Sequence, residues 1–597
     1  MQPNAGMSPQ GQRIVRILLG LLIAFYAMVC LRGIANEWPW GHHGFNGAAF
    51  SHAARNSLRF GVIGQAQYHM GDTPPPPEAF YTHHPMALHF HLIAAQWAFG
   101  DRPWVGRMVP ATYSFFAFLA LLLLAYRYFN PPIALLTALL FLLTPLNLAY
   151  ANMINHEQGC LFWCLILAHA SLAWSRSRSK ASLALALVAV SFAGQFDWSA
   201  YVYAFVLALA MSIRGLRSGG TVFRWRPEYL WVALFSLVVL ANFFGFIAFI
   251  SWLRGTGDLV AAFGARTEAL PDYPERLQRF LLELIGPLGL SLLGLWLLLV
   301  FRRLFLRRLN LAQSLVFAFV VVQCVRSGVF KHAGYFHAYW LFYFGPAVAL
   351  GGAEVLWVAC RVFFAGWARI DERWGESSPA FRGELLHDVA PLFVAALLCV
   401  FQGPKSLRMW EYYYRSGGSP EVADARDGLE EARFAKAVAA RFAAPGVSYW
   451  LHSSVQRPDI QIPYYLDAPF YFFWDPRQMV SPPGKGCGVV LADLDYVDAV
   501  QREGLFDLVR RRGGTLWERH FLAIPCVRGD GRLHSYVPRA QPSSWWSRWF
   551  VHWRVGPISW QLDPEPKVAW RVFEARRQPL ERSADLRSLG LPIVSWD

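Results

Sequence analysis

The stretch RIVRILLGLLIAFYAMVCLRG, residues 13–33, sets Arg13 and Arg16 ahead of an apolar run that continues unbroken to Arg32. The run is long for the core of a cleaved signal, and no small-x-small site follows closely. It reads as a signal anchor with the N-terminus on the cytoplasmic side. Runs of similar length recur through the first two thirds of the chain. The 597 residues are 55% hydrophobic and only 16% charged, which is a polytopic membrane composition. A net charge of +15 would suit a nucleic-acid binder. The Arg and Lys residues instead fill short breaks between apolar runs, so no nucleic-acid partner is expected.

Working outward from that anchor, the runs predict membrane helices near 14–32, 106–126, 132–150, 157–174, 182–195, 199–213, 229–253, 285–301, 311–328, 338–360 and 387–402. The segment 85–99 is apolar but short, and reads as a juxtamembrane or re-entrant helix. With about eleven transmembrane helices starting inside, SRSRSK (175–180), RGLRSGGTVFRWR (214–226) and FRRLFLRRLN (301–310) fall on the inner side. The turns 151–156 and 195–198 hold no Lys or Arg and fall outside. That asymmetry obeys the positive-inside rule. The fold class is therefore a mainly α polytopic membrane protein, with residues 1–402 as its membrane domain and 33–105 as the first outer loop.

Residues 403–597 change character. GVSYWLH, IQIPYYL, CGVVLADL and RHFLAIPCV read as strands, and DGLEEARFAKAVAARFA as a helix. The alternation predicts a small C-terminal extracytoplasmic α/β domain. Cys487 and Cys526 are its two cysteines, each beside a predicted strand, and an oxidising compartment would pair them.

Polar groups that interrupt apolar runs on one side of a membrane are candidates for function. Four clusters do so here. The first holds His42, His43, Asn46, His52 and Arg55, continuing to His83 and His84 in YTHHP. The second is NMINHEQG, with Asn155, His156 and Glu157. The third is FDWS, with Asp197. The fourth is RSGVFKHAGYFHAYW, with Arg326, Lys331, His332 and His337. Each has a plain alternative: Asp197 as a helix cap, Glu157 as a first-turn acid, a histidine as an interfacial anchor. Together they suggest one cavity with cations for a phosphate, carboxylates for a hydroxyl proton or a divalent metal, and apolar walls for a lipid chain.

In their order, the first span, the loop with ARNSLRFG (54–61), the turn at His84-Pro85 into a helix ending FG (99–100), and RMVP (107–110) resemble the GT-C superfamily of membrane glycosyltransferases. The pattern is similar to the lipid A aminoarabinose transferases and the protein O-mannosyltransferases over roughly residues 14–400. YWLHSSVQRPDIQIPYYLD (449–467) is more loosely similar to the periplasmic domain of the former. The resemblance implies a polyprenyl-phosphate sugar donor, and a lipid, glycan or protein hydroxyl as acceptor. It also implies a multi-pass protein among the lipids of a bacterial inner membrane, with the C-terminal domain periplasmic. The family carries an acidic dyad nine residues before the Arg that matches Arg55, where this chain has Asn46-Gly47. No Asp or Glu occurs between Glu37 and Asp72.

The second family carboxylate falls on Glu157, the basic residue before Pro on His84, and the late cationic segment on Lys331 to His337. Glu157 is the first candidate for general base. His43, which titrates near neutrality, is the second, beside Asn46. Arg55, His84, Arg326, Lys331, His337 and Asp197 are the candidates for donor binding, and His83 and His156 for a divalent metal. A non-catalytic binder of lipid-linked sugars, a transporter and a structural membrane protein remain alternatives.

Overall fold

The computed structural model describes residues 8–442 apart from 40, 68, 70–73, 218–226, 256, 269, 375–388 and 416–428. Beyond these it describes 448–452, 461–466, 470–473, 488–493, 505, 506, 509, 515–517, 521–527, 593 and 594. The described chain divides into two compact units: 1–35 with 81–424, and 36–80 with 425–597. Composition alone places the division at 402/403 and leaves the whole first loop with the membrane domain.

The first unit is a helical bundle. Among the described residues, eight helices are long and apolar enough to cross a membrane, and the bent pair Ala390–Phe401 and Gly403–Tyr414 makes a ninth if it is one span. The expected spans 132–150 and 182–195 correspond to the shorter helices Pro131–Leu142 and Lys180–Phe196. At 12 residues the first is only about 18 Å long, short of a roughly 30 Å hydrocarbon core. It stops because Pro145 cannot continue it, and the chain restarts as Pro145–Ala149. The expected span 338–360 is also broken. It passes through a 3-10 turn, Ala338–Leu341, and a π turn, Ala347–Gly351, before Gly352–Trp374.

These two breaks pack together. A Cβ at Gly345 would lie 2.4 Å from Asn147 Oδ1, so only glycine admits this approach. Asn147 also donates from Nδ2 to the Phe141 carbonyl at 2.9 Å, satisfying a helix end that has no membrane water to bond. The predicted short segment at 85–99 forms the helix Ala87–Phe99, of 13 residues.

Local signals set the helix ends. Proline opens Pro9–Leu31, Pro103–Tyr128 and Pro227–Arg254. Asn310 forms a capping box with Gln313 at the start of Leu311–Val329.

The second unit holds the helix His42–Phe60 and a mixed six-stranded sheet in the order β2-β1-β3-β5-β4-β6. Its strands are β1 Ser448–His452, β2 Phe470–Phe473, β3 Gly488–Asp493, β4 Thr515–Trp517, β5 Phe521–Val527 and β6 Ile593–Val594. β1 runs parallel to β2 and β3, while β5 is antiparallel to β3 and β4. Three of the four predicted strands are present. The fourth, IQIPYYL, is instead the helix Gln461–Leu466. Pro463 would remove a ladder hydrogen bond from a strand, whereas the first turn of a helix tolerates it. Cys487 lies outside the described residues, and with it the expected Cys487–Cys526 disulfide.

Candidate active site

Glu157 opens the helix Glu157–Ser177, and Asp197 follows the helix Lys180–Phe196. Arg178, in the left-handed conformation, and Ser179 connect the two, so the first residue of one helix lies at the same end as the last residue of the other. Their contact is tight there. A Cβ on Gly159 would lie 2.3 Å from carbons of the Phe196 ring. This hairpin brings both carboxylates to one buried place.

Arg326, in the last turn of Leu311–Val329, meets them. Its Nη2 donates to Glu157 Oε1 at 2.7 Å, and its Nη1 lies 3.6 Å from Asp197 Oδ2. The three side chains are only 3–4% exposed. The guanidinium also lies over Trp340, 4.2 Å from its centroid, and over Tyr343 at 5.1 Å. Both rings come from the broken segment after Leu311–Val329. Asp197 divides its oxygens. Oδ1 accepts from Ser199 N at 2.9 Å, as a helix-capping side chain does, and Oδ2 accepts from the Tyr343 hydroxyl at 3.4 Å.

Two polar atoms in this cluster make no hydrogen bond among the described residues: Glu157 Oε2, and Arg326 Nη1, whose contact with Asp197 is the longer ion pair. A second buried carboxylate in the bundle shows what a structural pin looks like. Glu354 accepts from Trp296 Nε1 at 2.9 Å and Gln313 Nε2 at 2.6 Å, and pairs with Arg303. Both of its oxygens are occupied. An unsatisfied buried polar atom costs free energy, so Glu157 Oε2 and Arg326 Nη1 are a poor design for a pin and a good one for receiving a ligand.

Beside this cluster, the rings of His84 and His156 stack at 4.4 Å with an interplanar angle of 11°. Tyr81 also stacks on His84 at 6.0 Å, and its hydroxyl accepts from Arg266 Nη2 at 3.2 Å. Burial holds the His84 ring well below the usual histidine range, helped by His156, Arg266 and Arg326. Burial likewise pushes His156 down to about 4, with Arg266 and Arg326 reinforcing it and Asp197 opposing. Both rings are neutral near pH 7. His84 Nδ1 has no hydrogen-bond partner among the described residues.

The structure therefore gathers His84, His156, Glu157, Asp197 and Arg326 from four sequence segments of the first unit. His83 adjoins them. Its carbonyl accepts from Trp198 Nε1 at 2.8 Å, and its ring packs edge-on against Tyr81. His337 stacks on Tyr339 at 5.1 Å and lies one ring removed from Arg326, through Trp340. No ion pair joins Lys331 to the cluster among the described residues. Arg266, Tyr81, Trp340 and Tyr343 were missed in the sequence. Arg266 lies in the long segment 254–284 among other charged residues such as Glu268, Asp272 and Arg276 that give no reason to single it out, and the aromatic residues are too common in this chain to stand out.

The second unit holds the other candidates. Arg55 donates to the Tyr464 carbonyl at 2.9 Å and lies over the Tyr464 ring at 4.2 Å. Through these contacts the side chain braces its helix. His43 and Asn46 are buried in the same helix. At the second position of the missing dyad, a Cβ on Gly47 would lie 2.1 Å from the Trp38 ring. No carboxylate side chain fits there.

Among the described residues, no group of three or more His, Cys, Asp and Glu side chains is placed to hold a metal ion, His83 and His156 included. Where two carboxylates converge, a guanidinium already supplies the positive charge.

No protein-family model matches the chain, and no curated protein matches its sequence. Its fold is nevertheless similar to solved structures. ArnT from Cupriavidus metallidurans in the apo state aligns with a TM-score of 0.53 at 14% identity, over 85% of this chain and 98% of that one. The same protein bound to undecaprenyl phosphate aligns with a TM-score of 0.53 at 12% identity, over the same shares. An apo oligosaccharyltransferase from Archaeoglobus fulgidus aligns at 0.47 and 12% identity, over 86% of this chain and 75% of that one. The chain has the GT-C membrane fold.

Proposed function

We propose that this protein is a membrane glycosyltransferase that moves a sugar from a polyprenyl-phosphate donor to the hydroxyl of a lipid, glycan or protein acceptor. One observation carries the reading. A buried guanidinium, paired with Glu157 and at longer range with Asp197, leaves an acceptor, Glu157 Oε2, and a donor, Arg326 Nη1, without a hydrogen bond among the described residues. Glycosyl transfer from a lipid phosphate needs both in one place. The acceptor hydroxyl gives its proton to Glu157 Oε2 as its oxygen bonds to the anomeric carbon. The bond from that carbon to the phosphate oxygen breaks, and Arg326 stabilises the charge left on the phosphate. Arg266, on the Tyr81 side, is a second cation for the same phosphate. The neutral rings of His84 and His156 line the cavity without adding charge. The similarity in fold to an ArnT structure bound to undecaprenyl phosphate supports a lipid-phosphate ligand.

In this reading the site faces the outer side of a bacterial inner membrane, because the Arg-rich connections lie at the opposite ends of the helices. The test is to incubate the purified protein and an extracted acceptor pool with a radiolabelled polyprenyl-phosphate sugar. Release of polyprenyl phosphate, with label moving to the acceptor, is the expected result. A donor that is bound and returned intact would favour a non-catalytic binder.

A further inference from the structure

Arg326 faces two different demands for its charge. In the structure its Nη2 is committed to Glu157 Oε1 at 2.7 Å, while its Nη1 is 3.6 Å from Asp197 and makes no hydrogen bond among the described residues. The guanidinium carbon lies 4.2 Å from the Trp340 ring centroid and 5.1 Å from that of Tyr343. Contact with ring faces holds the plane of the group without using its N–H donors, which all lie at its edge. Such ring contacts leave the N–H donors at the edge able to exchange partners.

We propose that Arg326 changes partner during transfer, passing from Glu157 to the leaving lipid phosphate as Glu157 takes the acceptor's proton. This rests on the transferase reading given above. The charges balance at each stage. Before transfer the carboxylate is anionic and the phosphodiester carries one negative charge. The acceptor O–H bond breaks and its proton goes to Glu157 Oε2. The acceptor oxygen bonds to the anomeric carbon, and the pair of electrons in the carbon–phosphate-oxygen bond leaves with the phosphate. One negative charge has then moved from Glu157 to the phosphate, and the guanidinium follows it.

The exchange also explains why a base is paired with a cation at rest. A buried carboxylate with no counter-ion takes up a proton from any source and ceases to be a base. Arg326 keeps Glu157 anionic until a phosphate competes for the same donors. Asp197 remains on the other side of the guanidinium through both stages, held by Ser199 N and the Tyr343 hydroxyl. It is the fixed anion against which the exchange occurs.

Infrared difference spectroscopy of the detergent-solubilised full chain, with and without undecaprenyl phosphate, reads this directly. Binding should convert one buried carboxylate to a protonated carboxyl, with loss of a carboxylate stretch and gain of a carboxylic C=O stretch. The band pair should vanish in Glu157→Gln and shift in Glu157→Asp, which serves for assignment if the first variant folds poorly. Saturable binding of the lipid without that band pair would overturn the exchange and leave phosphate recognition standing. Absence of any saturable binding would remove the transferase reading itself, and the exchange with it.

Discussion

Burial acts on His84 and His156 in the same direction, and the consequence is a testable pH dependence. Both rings titrate lower in the folded protein than in the unfolded chain, His156 falling from 6.5 to about 4. The unfolded state therefore binds the proton more tightly. Stability from these positions is fully present above pH about 6.5 and is lost as pH falls towards about 4. We predict a thermal midpoint in detergent that declines across that window. Replacing both histidines by Gln should flatten the decline, with the difference worth a few kcal/mol at most. An unchanged slope in the double variant would mean that neither ring resists protonation in the fold. The sequence shows both residues, but not their stacking. His84 and His156 lie in separate loops, and only the closure of the bundle brings them together.

Among the elements, the close pair Glu157–Ser177 and Lys180–Phe196 governs the site, because each helix delivers one carboxylate. Gly159 sets their separation against Phe196. Small residues at such crossings let helices pack closely in a membrane, where little else drives their association. Gly159→Leu should separate the helices near Glu157, lower the thermal midpoint and reduce transfer at least tenfold, while Gly245→Leu, at a position with open space around it, should change neither. Activity and melting curves of the two variants check this. A Gly159→Leu protein with normal transfer would show that the hairpin does not position Glu157.

Hydropathy makes the helices themselves legible, since long apolar runs have few other solutions in a membrane. It fails at 132–150 and 338–360, where composition stays apolar while Pro145 interrupts the first and a 3-10 and a π turn interrupt the second. The broken segment after Leu311–Val329 supplies Trp340 and Tyr343 to the site, so the part of the sequence hardest to read as a helix is part of the chemistry.

For the whole molecule, the missing first-loop carboxylate takes on a physical meaning. Asn46 and Gly47 belong with the C-terminal unit, and Trp38 fills the space beside Gly47. That association was not visible in the sequence, because it joins residues 399 and 428 positions apart: Glu37 accepts from Lys436 at 2.6 Å and from the Tyr465 hydroxyl at 2.7 Å. The orientation proposed for the membrane predicts that a compartment-sensitive reporter reads outside when fused after residue 415 and inside when fused at 308. The opposite pattern would put the Glu157 cluster on the wrong side for its proposed substrates.

The central claim is that Glu157, paired with Arg326, is the base for sugar transfer from a lipid phosphate. The rate of labelled-sugar transfer by Glu157→Gln, compared with the unsubstituted protein at equal folded concentration, tests it most directly. Loss of a positioned general base predicts a fall of roughly 10²- to 10⁴-fold, with His43→Asn costing much less. Transfer at the full rate by Glu157→Gln would contradict the account.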